Sequence, residues 1–234
     1  MVTAFLMLKV RPMKSISKIQ NNLRHSKNIF YEGHEGRFSY ADACHSIDKF
    51  VEKISNLKKY LKKERLQIAV IADKSFEHYC LILSVLISNC IWVPVDKSNP
   101  KKRTEQIFDQ SFPDLIWSDE NDVSFQSYEV LDDNLFGSKF HLRTQNLFYT
   151  QNIVQLDTDT CMIFFTSGST GVPKGVQVSK KGIDIFLSNI TKFIGFDHGS
   201  SFGDYHSTAF VISVPIRNAM SVQIIKISAT LKNP

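Results

Sequence analysis

A chain of 234 residues with 43% hydrophobic content reads as globular, long enough to bury a sizeable core as one domain or two small ones. Its 28 basic and 23 acidic residues are interspersed, so the net charge of +5 is a mild bias towards polyanions and not the signature of a nucleic-acid-binding protein. Cys44, Cys80, Cys90 and Cys161 show no Cys-x-x-Cys spacing, and the seven histidines form no i, i+4 pair and no Cys/His ligand set, which points to a reduced, cytoplasmic protein without structural zinc.

The leading "MVTAFLMLKV" is apolar but follows no basic region and precedes no plain small-residue cleavage site, so residues 1–37 are taken as an N-terminal arm. After Phe38 to Tyr40, apolar residues at Ala43, Ile47, Phe50, Val51, Ile54, Leu57 and Leu61 mark one face of a helix. Its basic end, "KKYLKKER", is expected to be a solvated terminus that compensates the helix dipole. Leu66 to Ile71 reads as a strand, Ser75 as the cap of a helix reaching about Ser88, and Ile91 to Val95 as a second strand, together a βαβ unit.

The most membrane-like stretch, Tyr79 to Val95, is interrupted by Ser84, Ser88, Asn89 and Pro94, so it reads as a buried helix followed by a strand. Asp96 to Pro100 forms a turn, Pro100 suits the first position of a helix running to about Gln110, and Asp114 to Trp117 begins another strand. This alternation predicts an α/β fold with a mainly parallel sheet flanked by helices. Ser118 to Asp157 is polar and irregular, with room for one or two strands. Thr160 to Phe165 regains strand character, Gly175 to Ser179 returns as a strand, and Lys180 to about Phe193 has a helical pattern.

Between those last two strands lies "FFTSGSTGVPKG". Gly168, Gly171 and Gly175 permit backbone N–H groups to approach an anion, Thr166, Ser167, Ser169 and Thr170 add hydroxyl donors, and Lys174 adds a mobile positive charge. Composition alone leaves two readings open, a polyphosphate loop or an ordinary flexible hairpin. The order of residues excludes a Walker A loop, because Lys174 lies between Pro173 and Gly175, and with it an ordinary NTP hydrolase. No Gly-x-Gly-x-x-Gly occurs there either.

"TSGSTGVPKGV", Thr166 to Val176, resembles the phosphate-loop signature of the adenylate-forming superfamily, which includes acyl-CoA synthetases, luciferases and nonribosomal-peptide or D-alanine adenylation domains. "FSYADA" resembles the start of an early helix in that family, and "WVPVDKSNPKKR" resembles its Val-Pro-Leu-Asp segment, with Pro94, Asp96, Pro100 and Arg103 in matching places as scaffold turns. The resemblance covers most of residues 30 to 215. It divides the chain into the arm, a partial AMP-binding adenylation domain at 38–215, and a divergent tail at 216–234. "AFVISV" is similar to the segment beside the acyl pocket. There Phe210 and Ser213 fit, but Val211 stands where many relatives carry an Asp that holds a substrate amine; a buried strand is the alternative reading.

The resemblance implies ATP and Mg²⁺ as cofactors, a carboxylic or amino acid as substrate, and CoA or a phosphopantetheine carrier protein as thiol acceptor. It implies phosphate contacts from Thr166, Ser167, Ser169, Thr170 and Lys174, with Gly168, Gly171 and Gly175 enabling the geometry. The family's aromatic-Gly-x-Thr-Glu, Thr-Gly-Asp and late lysine segments are not recognisable; Thr104-Glu105 lies in a helix without the aromatic-Gly context. No catalytic residue or Mg²⁺ ligand is therefore assigned. The expectation is the first half of an adenylating enzyme, as a truncated product, a frameshifted copy or a fragment, incomplete for catalysis alone. A non-catalytic nucleotide-binding or interaction module, associating through the truncated face, is the competing class.

Overall fold

Ser39 sits where the chain passes from strand into its first helix, and local chemistry explains the switch. In the computed structural model, which describes residues 27–119, 128–131, 139–143, 156–166, 172–194, 201–204 and 226–229, the Ser39 hydroxyl accepts a hydrogen bond from the Asp42 N–H at 3.2 Å. The Asp42 carboxylate accepts one from the Ser39 N–H at 2.7 Å. This reciprocal capping box satisfies donors that a helix start leaves free. Helix α1, Tyr40–Leu61, buries Ala43, Ile47, Phe50, Ile54 and Leu57, the face that the three-and-four spacing predicts.

Strand β3 (Gln67–Ile71), helix α2 (Phe76–Ile87) and strand β4 (Ile91–Val95) form the expected βαβ unit, with the strands parallel from Gln67↔Ile91 to Ile71↔Val95. The Ser75 hydroxyl caps α2 by accepting from the His78 N–H at 3.1 Å. From Phe76 to Leu86, α2 is buried at every position but Glu77, so the apolar run at Tyr79–Val95 is a core helix and a central strand. No helix among the described residues is long and apolar enough to cross a membrane. Helix α3, Lys101–Ser111, begins one residue later than expected because Pro100 is its cap, and strand β5, Leu115–Ser118, follows.

Strand β5 lies parallel to β3 on the side away from β4. The chain therefore steps from β3 to β4 and back across β3, and right-handed crossovers put α2 and α3 on opposite faces. Alternation within the strands follows suit. Ile68, Val70, Trp92 and Trp117 pack with α1 and α2, whereas Ala69, Ile71, Val93 and Ile116 pack with Ile107 and Phe108 of α3.

The polar stretch after β5 does contain two strands, β6 (Tyr128–Val130) and β7 (Lys139–Arg143), paired antiparallel to each other, with β7 antiparallel to β5. Strands β8 (Thr160–Thr166) and β9 (Lys174–Ser179) close the other margin, giving a seven-stranded sheet in the order β6-β7-β5-β3-β4-β8-β9. Its centre is parallel and both margins are antiparallel. Helix α4 is Lys180–Ile194; the Ser179 hydroxyl caps its start by accepting from the Gly182 N–H at 3.0 Å.

A second sheet is not anticipated by the sequence. Ile29–Gly33 (β1) and Gly36–Ser39 (β2) form a hairpin in residues expected to be arm and lead-in, and β1 also pairs in parallel with Lys226–Ala229 (β11), which pairs with Ser201–Asp204 (β10). Aromatic packing seats the hairpin on the starts of α2 and α1: Phe38 stacks on Phe76 of α2 with ring centroids 4.1 Å apart, and Phe30 meets Tyr40 of α1 edge-on at 5.3 Å. The Glu35 carboxylate reinforces it by accepting from the Phe76 N–H at 2.9 Å.

The basic end of α1 departs from expectation. Lys58 and Lys59 do occupy its last turn, but the Lys58 ammonium donates to the Ser88 carbonyl. Arg65 is half-buried and donates to the carbonyls of Asn89 at 3.2 Å, Thr158 at 2.9 Å, and Thr160. Three carbonyls from distant segments converge on one guanidinium, so this charge ties the starts of β4 and β8 together instead of facing solvent.

Candidate functional site

The glycine-rich segment leaves the sheet at the carboxyl end of β8 and returns as β9. The ladder runs antiparallel from Thr160↔Ser179 through Phe165↔Gly175 to Thr166↔Lys174, so the two extended segments expected around the loop form one hairpin. Thr166 and Lys174 face each other across its neck, both exposed, with the Thr166 hydroxyl 3.5 Å from the Lys174 carbonyl oxygen. Of the residues singled out from the sequence, the structure brings together Thr166, Lys174 and Gly175. Ser167, Gly168, Ser169, Thr170 and Gly171 lie outside the described residues, as do Phe210, Val211 and Ser213.

The carboxyl ends of parallel strands are where open α/β sheets bind ligands, and the edge beside the neck carries a defined charge pattern. Lys97, just after β4, donates to the Asp73 carboxylate at 2.9 Å and lies 3.1 Å from that of Asp119. Partial burial alone would lower the Lys97 pKa, but its bonds to Asp73 and Asp119 outweigh this and raise it above the usual lysine range. The ammonium offsets one of the two carboxylate charges, which lessens but does not remove the repulsion that an anion at this edge would meet. Among the described residues no group of three or more His, Cys, Asp or Glu side chains converges.

The scaffold turns have clear local causes. The Asp96 carboxylate accepts from the Ser98 N–H at 2.8 Å and its hydroxyl at 2.6 Å, an Asx turn that reverses the chain after β4. The Arg103 N–H donates to the Pro100 carbonyl at 2.8 Å, starting α3.

A cavity of about 220 Å³ lies under the neck, walled by Phe165, Gly175, Ile163 and Gln177, with Lys174 and Gln67 also on its lining. The buried Oε1 of Gln67 has no hydrogen-bond partner among the described residues. Sequence reasoning missed this cavity, since its walls come from β3, β8, β9 and the end of α3 and no local pattern joins them.

Comparison with known proteins places most of the chain in one family. Residues 19–231 match the model of a family described as AMP-binding enzyme. Nonribosomal peptide synthetase ivoA of Emericella nidulans is 28% identical over 187 residues, which cover 77% of this chain and 11% of that protein. Syringomycin synthase SyrB1 of Pseudomonas syringae pv. syringae is 30% identical over 151 residues, 63% of this chain and 24% of that one. The chain thus spans about a tenth to a quarter of these relatives' length. Among solved structures, the Klebsiella oxytoca NpsA N-terminal subdomain in complex with 3-hydroxybenzoyl-AMSN aligns with a TM-score of 0.72 at 18% identity, covering 97% of this chain and 55% of that one. At that identity the likeness speaks for the fold.

Proposed function

We propose that this chain, which belongs to the AMP-binding enzyme family, supplies the ATP-phosphate-binding part of a site that activates a carboxylic or amino acid. The observation that carries the reading is the β8–β9 neck, which holds Thr166 and Lys174 opposite each other and exposed at the carboxyl edge of the sheet. In the proposed reaction the substrate carboxylate attacks the α-phosphorus of ATP. A carboxylic–phosphoric mixed anhydride, the acyl-adenylate, forms as the bond from the α-phosphorus to the bridging oxygen breaks, and that bond's electron pair leaves with pyrophosphate.

Both reactants are anionic, so groups that stabilise charge on the departing pyrophosphate lower the barrier. Lys174 supplies a full positive charge there, and Thr166, Ser167, Ser169 and Thr170 supply hydroxyl donors, with Gly168 and Gly171 leaving room for main-chain N–H groups. Mg²⁺, when bound, would neutralise further phosphate charge. Phe210, Val211 and Ser213 are assigned to the acyl pocket by resemblance, and valine at 211 favours an uncharged acyl group over an amine. In a complete system the acyl group would pass to the thiol of CoA or of a phosphopantetheine carrier protein.

These 234 residues contain no recognisable adenine, ribose or late-lysine segment. They are therefore expected to bind Mg-ATP without completing adenylation. Calorimetric titration with Mg-ATP, run beside ATP–pyrophosphate exchange with a panel of carboxylic acids, tests both parts: heat of binding without exchange is the expected result. Robust exchange would contradict the inactive-alone reading, and absence of any nucleotide heat would contradict the phosphate site.

One observation favours the second reading, a non-catalytic binding module. Val172, Val176, Ile185 and Phe186 are large apolar side chains exposed at 45%, 48%, 51% and 38%, all on β9, its approach or α4. Concentration-dependent self-association by sedimentation, without turnover, would support that reading; a monomer at all concentrations would count against it.

A further inference from the structure

Gly175 is not where it is for the sake of an unusual backbone. Its φ is not positive, unlike that of Gly36, which has a φ of 126°. What sets it apart is space. A Cβ built on Gly175 would lie 3.2 Å from both Cε1 and Cζ of Phe165 and 3.3 Å from the Ile163 side chain, closer than a comfortable carbon–carbon contact of about 3.5–4.0 Å. Phe165 and Gly175 are direct cross-strand partners, so the phenyl ring lies over the bare glycine on the face that packs towards α3.

We infer that Phe165 and Gly175 form a ring-on-glycine joint that positions the two ends of the phosphate loop, an inference that rests on the reading of that loop as phosphate-binding. Phe165 immediately precedes Thr166, and Gly175 immediately follows Lys174, so the joint lies one residue inside the neck on both strands. Both are positioning residues and neither touches phosphate. The ring also walls the cavity of about 220 Å³ beneath the neck. A Cβ at 175 therefore has an outcome other than unfolding: the ring yields into that space, and the pairing of Thr166 with Lys174 shifts with it. The sequence reading gives Gly175 to the ligand, as room for an anion; the geometry gives it to Phe165.

Four proteins test this: the full 234-residue chain as it stands, Gly175→Ala, Phe165→Leu and the double variant, each titrated with Mg-ATP and each melted. Alanine loses less chain entropy than glycine in a strand, so Gly175→Ala should melt no lower than the parent. Its affinity for Mg-ATP should nonetheless fall about tenfold, the scale of effect expected from misplacing a binding group by a fraction of an ångström. Leucine lacks the ring atoms that the new Cβ would meet, so Phe165→Leu in the Gly175→Ala background should recover most of the lost affinity. Parental affinity in Gly175→Ala, or a double variant no tighter than Gly175→Ala, would overturn the joint while leaving the phosphate site standing. A parent that binds no Mg-ATP would overturn the phosphate site and the joint with it.

Discussion

Replacing Arg65 with alanine should destabilise the fold well beyond what a basic residue at a helix end normally contributes. Its guanidinium donates to the carbonyls of Asn89, Thr158 and Thr160, joining the turn before β4 to the turn before β8. A hydrogen bond with one charged partner contributes about 1.5–3 kcal/mol, and orphaning a buried carbonyl carries its own cost; Thr160 is buried. Against this stand the side-chain entropy of about 2 kcal/mol that ordering an arginine consumes, and the desolvation that lowers the Arg65 pKa. The balance is a loss of about 2–4 kcal/mol for Arg65→Ala. Arg65→Lys, which offers a compact head in place of a planar fork, should lose about half as much. Urea unfolding followed by tryptophan fluorescence measures both, since Trp92 on β4 and Trp117 on β5 are buried on the two strands that flank β3. A loss under about 0.5 kcal/mol for Arg65→Ala, the range of an ordinary surface substitution, would refute the clamp.

Lys174→Ala should weaken Mg-ATP binding at least about tenfold, roughly 1.4 kcal/mol, with little change in melting temperature because the residue is exposed at the neck; unaltered affinity by calorimetry would remove Lys174 from the site. The hydrogen bond from the Ser39 hydroxyl, followed by that from its N–H, holds the Asp42 pKa below the ordinary aspartate value. A depressed carboxylate stabilises the fold above its unfolded pKa and loses that contribution as the pH falls through the folded value. The melting-temperature gap between the parent and Asp42→Asn should therefore be widest near neutrality and close in acid, and a gap independent of pH would contradict the capping role. Burial pushes the Cys161 thiol up to about 12 and the Cys80 thiol well above its ordinary value, while Cys44 is only partly buried. At pH 8 a thiol reagent should modify Cys44 first and reach Cys80 and Cys161 only on unfolding; rapid labelling of all three in the native protein would argue against the packing described.

The parts of the fold that local physics controls were legible. Ala43, Ile47, Phe50 and Ile54 announce α1 by spacing alone, Ser75 announces α2 by its capping chemistry, and the apolar runs at Ile68 and Ile91 announce parallel core strands. What escaped depends on partners far away in the chain. The hairpin β1–β2 is short, and it leans on aromatic packing against Phe76 and on pairing with Lys226–Ala229. Arg65 reads as one more solvated cation in "KKYLKKER" because nothing nearby reveals that three distant carbonyls await it. At the candidate site the neck was visible as two extended segments. The packing reason for Gly175 was not, since the ring that demands it is ten residues earlier and the pairing Phe165↔Gly175 had to be seen first.

In the proposed site the β8–β9 loop grips the phosphates of ATP and not its base. Displacement of bound Mg-ATP from the 234-residue chain by tripolyphosphate, set against displacement by adenosine, tests it most directly. Tripolyphosphate is expected to compete with an affinity within about tenfold of ATP, as phosphate contacts at a glycine-rich loop require, and adenosine is expected to have no effect. Displacement by adenosine with none by tripolyphosphate would contradict it.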